Sequence, residues 1–290
     1  MQKIGFIVSL PLIYVIALLP FRLTYVLSDG LSFFLFHIVR YRRKLVRKNL
    51  LIAGYGNDLQ KCREIEKGFY RHFCDMYFET FKSLTMSKKQ IQSRFVVHNT
   101  DLLTSLAAKN KSILMMCGHY ASYEWLLSLG YYSDHTAYGI YSPLSNPHFD
   151  KLIRKARRRF GAYLIPRKET VRTIQQHQSD NYLGLYGFAS DQSPRVKSKT
   201  YFRDFLGATV PVFTGAERIA KEHDIPVLMA KVRKAKRGYY ETELITLSLD
   251  PKKEKENAIT DAFTVELEKQ IRKNPIYYLW SHNRFKFMKS

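Results

Sequence analysis

Ser112-Ile-Leu-Met-Met-Cys-Gly-His119-Tyr-Ala-Ser-Tyr-Glu124-Trp125 is the stretch on which the reading of this chain turns. The unbroken apolar run up to Cys117 reads as a strand buried on both faces, and it stops at Gly118. A helical pattern follows, so His119 falls at a strand-to-helix corner, where a rigid scaffold presents polar groups. Within one regular helix, His119 and Glu124 would be about 140° apart and could not face each other. They meet only if His119 lies in the turn before the helix. Glu124 is then expected to hold one imidazole nitrogen, leaving the other to take a proton from a hydroxyl. One His and one Glu are too few ligands for zinc, and the H-E-x-x-H pattern is missing, so no metal is expected.

Outward from this corner, helix and strand signals alternate. Strands are expected at 94–98, 111–117, 136–141, 182–188 and 226–232. Helices are expected at 100–109, 147–160, 169–178, 212–223 and 255–272. A long amphipathic helix is expected over 58–86, where Ile65, Phe69, Phe73, Tyr77 and Phe81 recur at i, i+4 steps. There is no internal repeat and no low-complexity linker. The pattern predicts one α/β domain over 49–290, with helices packed on a mixed central sheet.

Residues 1–48 read differently. Positions 4–19 carry no charge and would reach about 24 Å as a helix, against about 30 Å of hydrocarbon. A second apolar run covers 31–39, followed by Arg40, Arg42, Arg43, Lys44, Arg47 and Lys48. No small-x-small cleavage pattern follows the apolar stretch, and a pair of buried soluble helices is the bland alternative. Apolar residues followed by a basic cluster predict a membrane anchor with the rest of the chain on the cytoplasmic side. Whether it spans or lies in one leaflet stays open.

Composition bounds the partners. With 47 basic and 25 acidic residues the net charge is +22, which calls for an anionic partner: a phospholipid surface, nucleic acid or an acidic protein. There is no RNP-type aromatic strand, zinc finger or Gly-x-x-Gly clamp, which disfavours nucleic acid. Aromatic residues at 14% exclude disorder. Cys62, Cys74 and Cys117 form no C-x-x-C, so a reducing compartment is expected. Helix 147–160 carries Lys151, Arg154, Lys155, Arg157, Arg158 and Arg159. Such a cluster is either a solvated face or a site for membrane phosphate, a phosphorylated lipid or an acidic carrier protein. Lys231, Arg233, Lys234, Lys236 and Arg237 look like a generic strand end and turn.

Gly118-His119-x(4)-Glu124 after an apolar strand resembles the first motif of the glycerolipid acyltransferase superfamily. Further blocks narrow the resemblance to the lipid A late acyltransferase family. These are Asn146 to Arg159 with Gly161, Ile165-Pro-Arg167-Lys168, Ala189-Ser-Asp191-Gln192, Phe205-Leu-Gly207-Ala208 leading to Thr214-Gly215, and Tyr278-Leu-Trp-Ser-His-Asn-Arg-Phe-Lys286. Asn283 departs from the paired arginines that the family often has there. The resemblance implies a single glycerolipid-acyltransferase-like domain on the cytoplasmic face of a bacterial inner membrane. It implies His119 and Glu124 as a catalytic dyad, and Arg167, Asp191, Arg154, Arg157 and Arg158 as substrate-binding residues. The implied donor is acyl carrier protein or acyl-CoA, the implied acceptor an anionic lipid A precursor, and no cofactor is implied. An aminolipid, glycolipid or lysophospholipid is the alternative acceptor. A non-catalytic basic protein binding membrane or RNA is the reading from a different class.

Overall fold

The computed structural model describes residues 2–289. The chain opens with two helices, α1 (Gln2–Leu18) and α2 (Phe21–Phe33), separated at Pro20, whose extended backbone and missing N–H end one helix and start the next. A π-helical turn (Phe34–Ile38) and α3 (Arg43–Ile52) lead into α4 (Leu59–Lys82), whose N-terminus is capped by Asp58 accepting from the Lys61 N–H. Among the described residues no helix is long and apolar enough to cross a membrane.

After α5 (Lys88–Arg94), strands and helices alternate: β1 (Phe95–Val97), α6 (Asp101–Ala108), β2 (Ile113–Cys117), a 3-10 stretch (Tyr123–Tyr132), β3 (Thr136–Tyr141), α7 (Pro147–Arg158), β4 (Tyr163–Pro166), α8 (Thr170–Ser179) and β5 (Gly184–Ala189). A two-stranded hairpin, β6 (Phe202–Phe205) and β7 (Ala208–Pro211), turns through Leu206 and Gly207, both at positive φ. Then come α9 (Gly215–His223), β8 (Val227–Lys236), β9 (Tyr239–Ser248) and α10 (Ala258–Lys273). Seven strands form one mixed sheet in the order β1-β9-β8-β2-β5-β3-β4, with β9 antiparallel to β8 and the other pairs parallel. This is the expected single α/β domain, a central sheet flanked by helices. β2 is its middle strand and every residue of it is buried, as its unbroken apolar run required.

The expected strands and helices form, with ends moved by a few residues, except the helix after His119. Among the elements outside those expectations are α3, α5, β4, the β6–β7 hairpin and β9. β9 alternates buried and solvent-facing positions, so its polar residues dilute the apolar signal although the period of two is present. The regular helix expected after His119 is instead a 3-10 stretch, entered through Ala121 in the left-handed region at φ 51. A Cβ at position 118 would come to 2.5 Å from the Leu267 side chain on α10, so a larger residue there has to displace that buried leucine.

α2 is inverted relative to an ordinary surface helix. Thr24, Ser28 and Ser32 are buried at i, i+4, i+8, while Leu23, Val26, Leu27, Leu31 and Phe33 face outward. Its polar face meets a charged cluster. Ser28 donates to Asp75 at 2.8 Å, and Asp75 also takes Arg237 at 2.6 Å and Lys234 at 3.3 Å. Arg237 reaches on to Asp29, and Tyr25 and Tyr240 both donate to Glu79, at 2.8 and 2.9 Å. The basic turn at 231–237 is therefore not generic. Lys234 and Arg237 neutralise a buried carboxylate of α4 and tie α2 to the β8–β9 hairpin.

Candidate active site

β2 and β5 are adjacent parallel strands, paired Cys117 to Ala189 at their C-terminal ends. Two residues further along each strand stand His119 and Asp191, which the register therefore sets side by side. Open α/β sheets place their ligands at this edge. Asp191 Oδ1 accepts from His119 Nδ1 at 2.6 Å, and Oδ2 accepts from the His119 backbone N–H at 3.0 Å. One carboxylate thus fixes both the backbone and the ring, and the proton on Nδ1 leaves Nε2 as the basic nitrogen. The Asp191 side chain is 2% exposed and that of His119 15%, so the pair is sunk beneath the surface but reachable. Nε2 faces the side-chain amide of Gln192, with Nε2 of that amide at 3.2 Å.

Burial opposes charging His119, but the Asp191 carboxylate overrides it, and the imidazole pKa lies above the ordinary histidine range, with Glu124 adding to the effect. Asp191 is itself pushed upward by burial, yet the hydrogen bonds and positive charge of His119 hold it below the usual carboxylate range.

Glu124 does not hold the imidazole. The 3-10 geometry turns it toward α7, where it takes a two-pronged ion pair from Arg157: Nε at 2.8 Å and Nη2 at 2.6 Å. Asp191 occupies the place at the ring that the spacing assigned to Glu124. The physical reason is that a turn with one left-handed residue carries Glu124 past the ring, whereas the β2–β5 register delivers Asp191 to it. Glu124 remains close enough to act on His119 through its charge.

The basic helix divides. Arg157 points inward to Glu124, Arg154 is half-buried with its Nε lacking a hydrogen-bond partner among the described residues, and Arg158 is exposed. Helical i, i+3, i+4 spacing puts the three on one side of α7, and packing gives each different surroundings. Arg167 lies at the end of β4, two strands from Asp191's strand, exposed, with its guanidinium over the Phe213 ring at 5.5 Å. That contact does not join it to the His119 cluster.

The C-terminal block closes the site. Leu279 N–H donates to the His119 carbonyl at 3.1 Å, and Ala121 N–H to the Tyr277 carbonyl at 3.0 Å. Arg284, 3% exposed, donates to Ser193 Oγ and to the Pro211 carbonyl, holding the loop after Asp191. Asn49 donates to the carbonyls of Trp280 and His282, both at 2.8 Å. Sequence spacing could not supply these pairings, because the partners are 72 to 233 residues apart. The one local signal was a symmetry: strand end plus two residues gives His119 in one case and Asp191 in the other. Among the described residues no group of three or more His, Cys, Asp and Glu is placed to hold a metal ion. Chemically, the arrangement can accept a proton at His119 Nε2, beside the Gln192 amide.

Two comparisons with known proteins bear on this site. The family model described as bacterial lipid A biosynthesis acyltransferase matches residues 2–287. A lipid A biosynthesis acyltransferase of Haemophilus influenzae is 25% identical over 278 residues, which cover 91% of this chain and 82% of that protein.

Proposed function

The chain belongs to the bacterial lipid A biosynthesis acyltransferase family, and from that premise we propose that it moves a fatty acyl group from a carrier thioester to a hydroxyl of a lipid A precursor, using His119 as general base. The observation that carries the mechanism is the two-point hold of Asp191 on His119. His119 Nε2 takes the proton of the acceptor hydroxyl as that oxygen attacks the thioester carbonyl carbon. Asp191 stabilises the imidazolium that forms. The tetrahedral oxyanion needs a donor, and the Gln192 amide is the side-chain donor nearest to Nε2. It has to swing aside to admit the acceptor. Collapse breaks the carbon–sulfur bond, and the leaving thiolate takes the proton back from His119. Glu124 acts as a positioning residue that presents the Arg157 charge beside this centre, where a phosphate or the oxyanion would meet it.

The setting is a membrane surface. Ile7, Val8, Leu12, Val15 and Leu18 of α1 and Leu23, Val26, Leu27, Leu31 and Phe33 of α2 are exposed, and exposed apolar side chains in such number mark an interaction surface. Exposed Arg40, Arg42, Lys44, Arg47 and Lys48 follow directly. An apolar face bordered by basic residues suits helices lying in one leaflet against anionic headgroups. The cytoplasmic face of the inner membrane is the side on which an acyl carrier protein would reach the site, and the net charge of +22 would attract that acidic carrier.

The test is transfer by the purified protein from acylated carrier protein, or acyl-CoA, to a lipid A precursor in mixed micelles, read by mass spectrometry. An added acyl mass on the precursor, absent with His119→Ala, is the expected result. Transfer only to an aminolipid, glycolipid or lysophospholipid would replace the acceptor. Transfer to none, from either donor, would overturn the reading.

A further inference from the structure

His119 borders a second feature: a narrow cleft between α4 and the C-terminal segment, whose free space of about 10 Å³ holds about one water with its walls as they stand. Its walls are mostly apolar, built from Phe69, Phe73, Met76 and Leu279 with the rings of Tyr277 and Tyr278, and besides His119 they carry a second imidazole, that of His72. His72 is 5% exposed, and neither ring nitrogen has a hydrogen-bond partner among the described residues. Its ring packs edge-on against Tyr277 at 4.9 Å, and the Ala121 backbone lies close enough to favour a proton on the ring. A buried polar group left unpaired is costly, and such groups in native proteins are satisfied by something.

A cleft shared by the general base and an apolar wall suits the start of the acyl chain, because the thioester carbonyl must lie within reach of His119. We propose, resting on the acyl-transfer reading above, that this cleft takes the first carbons of the acyl group and that His72 hydrogen-bonds a hydroxyl on them, so that the preferred donor is a 2- or 3-hydroxyacyl thioester. A hydroxyl is both donor and acceptor, and a neutral imidazole offers one nitrogen of each kind. Burial and the neighbouring Lys234 charge keep the His72 ring neutral. The aromatic walls and Met76 have to part for the chain, which the unbranched, pliable Met76 eases.

Sites built to pair with a hydroxyl reject analogues that lack it far more strongly than apolar pockets reject an added one. The experiment measures kcat/KM for carrier-protein thioesters of myristate, 2-hydroxymyristate and 3-hydroxymyristate with one acceptor. The wild type is expected to favour one hydroxylated donor by about tenfold or more. His72→Phe is expected to bring the ratio to within about twofold of unity, and His72→Gln, which keeps a donor and an acceptor, to retain part of the preference. A wild-type ratio near one overturns the proposal without any variant, and so does a preference that His72→Phe leaves unchanged. Absence of transfer from all three donors is a different result, which removes the acyl-transfer reading itself.

Discussion

Asp191 and His119 form a pair whose consequences can be read as rates. General-base transfer requires the neutral ring, so activity rises with pH as the His119 proton leaves. The Asp191 anion holds that proton more tightly, which places the acid limb above the ordinary histidine range. Asp191→Asn should lower kcat by about 10²–10⁴-fold and move the acid limb to lower pH, because the anion favouring imidazolium is gone. A pH–rate profile with an unmoved limb would deny the pairing. Glu124→Gln and Arg157→Ala should each lower kcat/KM, and the double variant should lose little more than either alone. The two side chains act as one ion pair, and paired residues are not additive. Full additivity would mean that Glu124 acts on His119 by itself. Reversing charge at Arg157 should therefore damage turnover, whereas Arg158, exposed on the same helix, should affect only steering.

At the scale of elements, α2 has two faces with separable duties. Replacing Leu23, Val26 and Leu27 together by Glu should abolish co-sedimentation with anionic vesicles and leave the melting temperature within a few degrees of wild type, since these side chains contact solvent already. On the inner face, Glu79 is fully enclosed between Tyr25 and Tyr240. Burial raises its carboxyl from 4.5 to about 7, against the pull of Lys234. The folded chain then binds that proton more tightly than the unfolded chain does. The associated stability is complete below about pH 4.5 and is lost as pH rises to about 7, amounting to about 3 kcal/mol. Glu79→Gln should flatten this part of the stability profile relative to wild type, as measured by urea unfolding at several pH values. Equal slopes for the two proteins would mean that Glu79 ionises freely.

At the scale of the molecule, the N-terminal helices are structural as well as apolar. Deleting residues 1–33 strips Ser28 and Asp29 from Asp75 and Arg237, and Tyr25 from Glu79. Asp75 keeps Lys234 and Arg237, so the loss is that of the hydrogen bonds to charged groups, about 1.5–3 kcal/mol each, together with the burial that α2 gave the cluster. The truncated chain should therefore unfold at markedly lower urea concentration, rather than become a well-behaved soluble enzyme. A truncation with wild-type stability would show that the charged cluster can satisfy itself.

Local chemistry was legible along the chain by itself: the buried central strand, the corner that presents His119, the alternation that makes an α/β domain, and the apolar N-terminus with its basic border. Each of these is carried by residues within a few turns of one another, where periodicity and composition act directly. The tertiary structure alone decided the partner of His119. Strand register across 72 residues put Asp191 at the ring, while a left-handed turn sent Glu124 to Arg157. It alone decided that the turn at 231–237 neutralises Asp75, that α2 shows its apolar side outward, and that His72 ends unpaired beside His119. Hydrogen bonds and ion pairs act over about 3 Å, and which groups come that close depends on how elements remote in sequence pack, a matter on which side-chain spacing is silent.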